Sequence, residues 1–81
     1  MKDVMVKIDE IYVPAAKRTP LDAEKVQALA ESIAENGLQS PILLRPDKER
    51  YVLVSGLHRL EACKALGEIK VKANLVQATK R

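Results

Sequence analysis

A strand that runs into glycine and turns at once into a helix restricts a small chain severely, and Val54–Gly67, VSGLHRLEACKALG, reads as such a junction. Gly56 supplies the backbone freedom that a tight strand-to-helix turn needs. Leu57, Leu60, Cys63 and Leu66 then recur at spacing three, and Gly67 closes the helix. The first turn of this helix carries His58 and Arg59. A helix N-terminus presents unpaired N–H groups and the positive end of the dipole, so each cation placed there costs about 0.3–1 kcal/mol. Two potential cations at that end call for a compensating partner.

The rest of the chain builds a frame around the junction. VMVKIDEIYV places Val4, Val6 and Ile8 at period two, followed by Ile11 and Val13, and predicts an edge strand and its continuation up to Pro14. PAAKRTP breaks the regularity. A helix follows, with Thr19 or Asp22 as N-cap, Gly37 just past its end and apolar Leu38 beyond, as in a Schellman closure. Its expected core stripe is Val26, Leu29, Ala30 and Ile33. Pro41–Arg45 and Arg50–Ser55 read as a hairpin joined by the polar PDKE. Finally IKVKANLV alternates, with Ile69, Val71, Ala73 and Leu75 on one face and Lys70, Lys72 and Asn74 on the other. The expected order is β-α-β-β-α-β, an α+β fold in which two helices pack on a small mixed sheet.

With 81 residues, the chain is expected to form a single domain over residues 1–81. It has no Phe or Trp and only two Tyr, so the core must be aliphatic. Tyr12 and Tyr51 are too few for the stacking platforms that bind single-stranded nucleic acid without sequence preference. One Cys excludes an intrachain disulfide, and one Cys with one His leaves little for a metal site. No apolar run approaches the ~18 residues of a membrane span, so a cytoplasmic location with no membrane partner is the expectation. The net charge of +3 mildly favours anionic partners.

An anion at the Gly56 turn would make the two cations useful. Arg59 would grip a phosphate through its fork and His58 would donate to it, beside backbone N–H groups aimed at the same point. The alternative is that both side chains reach outward to water, with Glu61 pairing locally. A second hint lies on the first helix, where Lys25, Ala28 and Ser32 fall at i, i+3 and i+7, beside the apolar stripe. Lys25 and Ser32 would add a charge and a hydroxyl to a cleft between the helices. The alternative here is an ordinary solvated boundary stripe.

LDAEKVQALAESI, SGLHRLEACKALG and IKVKANLVQATK, in that order, resemble the ParB/sulfiredoxin superfamily over about Val4 to Thr79. The G-x-H-R turn and LVQAT lean towards sulfiredoxins, and NGLQSPILLRPD leans towards ParB amino-terminal domains. The resemblance implies a nucleotide-binding domain. Sulfiredoxins hold ATP phosphates with a first-helix Lys and hydroxyls and a Gly-Cys-His-Arg turn; ParB proteins place CTP against a Gly-Glu-Arg-Arg turn. By that correspondence Lys25, Ser32, Gly56, His58 and Arg59 are the implied phosphate ligands, while Ala28 stands where a second hydroxyl is expected.

The departures limit what the resemblance implies. Leu57 occupies the position of the sulfiredoxin cysteine and cannot act as a nucleophile, and Cys63 sits at core spacing, so sulfiredoxin chemistry is not expected. The ParB Glu-Arg is replaced by Leu57-His58, and no helix-turn-helix follows in this sequence, so DNA binding here would be electrostatic and weak. The expectation is therefore an ATP- or CTP-type nucleotide-binding domain with weak or no hydrolysis. Two alternatives are a DNA-partition or regulatory module and a small NTPase or kinase. For the last, Glu61 or Glu24 would be the base or would help hold Mg²⁺. Monomer and homodimer both stay open, as does the preferred base.

Overall fold

A computed structural model describes residues 3–18, 20–38 and 40–76. Five strands, β1 (Asp3–Lys7), β2 (Ile11–Tyr12), β3 (Ile42–Asp47), β4 (Arg50–Ser55) and β5 (Lys70–Leu75), are joined with two helices, α1 (Ala23–Asn36) and α2 (Leu57–Ala65). They form one mixed sheet in the order β1-β5-β3-β4-β2. The β1/β5 and β3/β4 pairs are antiparallel, and β3/β5 and β2/β4 are parallel. This is the expected α+β architecture.

The first expected strand is divided. A 3₁₀ turn at Ile8–Glu10 separates β1 from β2, and the two pieces lie at opposite edges of the sheet. A flat five-stranded sheet would hold those edges four spacings apart, about 19 Å. The four residue steps from Lys7 to Ile11 reach at most about 14 Å. The sheet must therefore coil until its edges approach at this end, which lets Ile8, Ile11 and Val13 all pack on one core.

That core is aliphatic, as composition requires. Val6, Ile42, Leu44, Leu53, Val71 and Ala73 of the sheet meet Leu60 and Cys63 of α2. Leu57 packs at the margin of this cluster. Leu66 and Ile69, both expected inside, are 36% and 72% exposed. The physical reason is that α2 ends at Ala65 and β5 begins at Lys70, so both residues belong to the connection and neither is held in a periodic element. The hairpin also differs from expectation: Pro46 and Asp47 join β3, and the chain reverses at Lys48–Glu49, with Lys48 at φ 52°.

Helix α1 buries no residue fully. It packs mainly on α2, with Ile33 reaching the common core, and α2 in turn touches β3. Its stripe of Val26, Leu29, Ala30 and Ile33 faces inward but stays half-buried. Asp22 caps α1, its carboxylate Oδ1 accepting from the N–H groups of Glu24 (3.1 Å) and Lys25 (3.3 Å). The other candidate cap, Thr19, lies outside the described residues, as do Gln77–Thr79 of the LVQAT segment. At the far end the Gly37 N–H donates to the Ile33 carbonyl (2.8 Å). Among the described residues no helix is long and apolar enough to cross a membrane.

Candidate functional site

The junction at Gly56 is built by two constraints at once. Gly56 takes φ 108°, ψ 32°, in the region that side chains with a Cβ rarely adopt. A Cβ there would also lie 2.8 Å from Ile42 Cγ2 and 3.0 Å from Ile42 Cβ. The glycine thus lets β4 turn into α2 against the centre of the sheet, whatever binds beyond it.

Helix α2 begins without a side-chain cap. Its first helical bond runs from the Leu60 N–H to the Gly56 carbonyl (2.9 Å), which leaves the N–H groups of Leu57, His58 and Arg59 without intrahelical partners. The N-terminus of α1 is fastened to the same place. The Asp22 N–H donates to His58 Nε2 at 3.3 Å, so His58 joins the entry of α1 to the first turn of α2. In this arrangement Nε2 is the acceptor and the proton of the neutral ring sits on Nδ1.

A cavity of about 300 Å³ opens at this meeting of two helix N-termini. Lys25, Leu29, Ser55, Gly56, Leu57, His58 and Arg59 line it. Four of the residues expected from sequence therefore converge: Lys25 from the first turn of α1, and Gly56, His58 and Arg59 from the start of α2. The ion pairs among the described residues lie elsewhere, at Arg50–Asp47 and Lys64–Glu61. Lys25 and Arg59 face this cavity with no carboxylate among the described residues of its lining, so both charges and the open helix end favour an anion.

Two expected residues are not brought in. Ser32 is exposed on α1, two turns beyond Lys25 and so about 10 Å further along the axis, and does not line the cavity. Glu61 projects from another side of α2, where it accepts from Lys64 Nζ (3.3 Å). There it lines a groove between the helices, and Glu24 lines neither space. The NTPase reading thus loses both of its candidate bases from the Gly56 cavity. Conversely, Ser55 places a hydroxyl group at the cavity that the sequence reading did not single out. Its position immediately before the turn glycine was the available signal.

The groove between α1 and α2 is larger, about 770 Å³, and is lined by Leu21, Val26, Ala30, Ala34 and Leu66 among others. It is mostly apolar; of its charged lining residues, Glu61 and Lys64 pair with each other and Glu31 accepts from Gln27 Nε2 (3.4 Å). Size alone would select this groove, but the convergent unpaired cations select the smaller cavity. Cys63 serves neither space as a nucleophile: it is 3% exposed in the core, where burial, and secondarily Glu68, push its thiol pKa up. Among the described residues no group of three or more His, Cys, Asp or Glu side chains could hold a metal ion.

Comparison with known proteins places these features in a wider set. The family model of the ParB N-terminal domain matches residues 2–81. The chromosome-partitioning protein ParB of Myxococcus xanthus is 41% identical over 56 residues, which cover 69% of this chain and 19% of that protein. The chain spans about a fifth to a quarter of the length of the partitioning relatives it matches. Sulfiredoxin of Arabidopsis thaliana superposes with a TM-score of 0.88 at 29% identity, covering 96% of this chain and 88% of that one. The C-terminally truncated ParB of Caulobacter crescentus, solved with CTP-γ-S, gives a TM-score of 0.83 at 25% identity, covering 99% of this chain and 47% of that one.

Proposed function

This chain belongs to the ParB N-terminal domain family, within a ParB/sulfiredoxin-like superfamily, and on that footing we propose that it binds a nucleotide of the ATP or CTP type through its phosphates at the Gly56 turn. The observation that carries this reading is the convergence of Lys25, Arg59 and the N-terminus of α2, which no side chain caps among the described residues, on one cavity whose described lining holds no carboxylate. The Caulobacter relative solved with CTP-γ-S agrees with it.

The roles divide by geometry. The N–H groups of Leu57, His58 and Arg59 cradle a phosphate, Arg59 forks onto its oxygens, Lys25 adds a point charge and Ser55 a hydroxyl. His58 holds the two helix ends in place through Asp22 and offers Nδ1 as its remaining donor. Any Mg²⁺ would arrive with the phosphates, since the lining supplies no acidic ligand for it. The reading carries weak or no hydrolysis, in keeping with a described lining that offers no carboxylate as a base.

Calorimetry tests this directly, with ATP, ADP, CTP and GTP titrated with and without Mg²⁺ into the wild type and Arg59→Ala. Binding that collapses in Arg59→Ala supports the site. Binding that is unchanged in Arg59→Ala and Lys25→Ala rejects it.

The partitioning names of the relatives favour a second reading, in which the domain is the regulatory part of a DNA-partition system. Any contact of this chain with duplex DNA would then be electrostatic and fall steeply with salt. Absence of a mobility shift at low ionic strength would remove DNA contact by this domain from that reading.

A further inference from the structure

Strand β1 lies at the edge of the sheet, with β5 as its strand neighbour among the described residues. Its hydrogen-bonding parity can be read from the strand's end. The Ile8 N–H donates to the Ile69 carbonyl at 2.9 Å, which places Ile8 in a bonded position opposite β5. Bonded positions alternate along an antiparallel pair, so Val6 and Val4 also turn their N–H and C=O groups towards β5. The backbone groups of Asp3, Met5 and Lys7 consequently point out from the sheet edge. Met5 is 59% exposed there.

An exposed edge of this kind is a template for another strand. Asp-Val-Met-Val-Lys is chemically complementary to its own reverse. If two copies pair antiparallel with Met5 on the two-fold axis, Asp3 stands opposite the partner's Lys7, Val4 opposite the partner's Val6, and Met5 opposite the partner's Met5. The parity agrees: the three positions whose backbone groups point outward are the three that meet as bonded pairs. The register also answers an oddity within the chain. Lys7 lies directly opposite Lys70, a like-charge pair that costs stability. In the paired edge, Lys7 has Lys70 on one side and the partner's Asp3 on the other, so an acid enters the row where repulsion is greatest. A carboxylate accepts from several donors, so Asp3 can serve this contact alongside others. Val6, 4% exposed, and half-buried Val4 meet their counterparts on the core face, joining the two aliphatic cores across the seam.

We propose that β1 is a homotypic docking edge, through which two copies of this chain form a continuous ten-stranded sheet about a two-fold axis at Met5. The contact is confined to five residues per copy, below the area of a standard stable interface, so it is a weak association seen at high protein concentration or where the copies are held together.

The test is sedimentation of the 81-residue chain from micromolar to millimolar concentration. The wild type is expected to shift from monomer to dimer. Met5→Pro removes an outward N–H that β5 does not use, so it should keep the fold, read by circular dichroism, and abolish the dimer. Lys7→Asp relieves the intrachain lysine pair while opposing acid to acid across the seam, and should weaken association at least about tenfold. Combining it with Asp3→Lys should restore the dimer. Nucleotide binding is expected to be the same in all these variants, because the edge is independent of the Gly56 cavity. A chain that stays monomeric throughout, a dimer indifferent to Met5→Pro, or a double variant that fails to recover would each overturn the proposal.

Discussion

His58 Nε2 accepts the backbone N–H of Asp22 at 3.3 Å, across 36 residues of sequence. One imidazole thereby couples the cap of α1 to the first turn of α2. Removing it should be felt first in the stability of the domain without ligand. His58→Ala is expected to cost about 0.5–1.5 kcal/mol, or roughly 4–8 °C in Tm per kcal/mol for a domain of this size. Thermal denaturation without nucleotide checks this, and an unchanged Tm would show that the bond contributes nothing.

Arg59 behaves in the opposite way. It has no ion-pair partner among the described residues and stands at the positive end of α2, so Arg59→Ala should leave the Tm of the free domain unchanged or raise it by a few degrees. Nucleotide affinity should fall by about 1.5–3 kcal/mol, roughly 10- to 150-fold, the worth of a charge-assisted contact. Calorimetry on the variant separates the two effects. A large loss of unliganded stability would mean that Arg59 is structural instead.

Gly56 is held by conformation and by contact together. Gly56→Ala must adopt φ 108° with a new Cβ 2.8 Å from Ile42 Cγ2. Strain of about 1–3 kcal/mol from the backbone and a similar amount from overpacking are expected. That is a large share of the stability of a small domain. Urea unfolding should show a lower midpoint with an unchanged slope, and paired truncation by Ile42→Val should recover little, since Ile42 Cβ itself lies 3.0 Å from the added atom.

Cys63 gives the domain an alkaline limit. Burial raises its thiol pKa in the folded chain, with a further upward push from Glu68. The folded state therefore keeps a proton that the unfolded chain releases at ordinary thiol pH. This contribution to stability is present below the unfolded pKa and is lost as pH rises towards the folded one. Alkylation by iodoacetamide should be slow near neutral pH and accelerate on unfolding in urea. In Cys63→Ala the alkaline decline should be shallower, and fast alkylation of the native wild type would contradict the buried position.

Much of the site could be read in the sequence because it is local. Gly56, His58 and Arg59 lie within four consecutive residues, so a strand, a glycine and a helix are enough to place them. Lys25 was found by helical spacing, since Asp22 sets the start of α1. The same spacing failed for Ser32. A shared stripe says which side of α1 a residue lies on, but not how far along the axis the cavity extends. Glu61 takes the local course that the sequence also allows: its pairing with Lys64 draws it to another side of α2, away from the cavity.

By itself the sequence determined the elements and their chemistry: an aliphatic core, two helices with readable ends, and a basic turn after Gly56. It could do so because periodicity, capping and backbone freedom act over a few neighbouring residues. The tertiary structure alone decided that Val4–Val13 splits to opposite edges of one coiled sheet, that α1 rests on α2, and that His58 reaches Asp22. Those outcomes depend on long-range strand order and on the lateral packing of helices. Both are settled by the burial of a common core, which no local stretch of the chain contains.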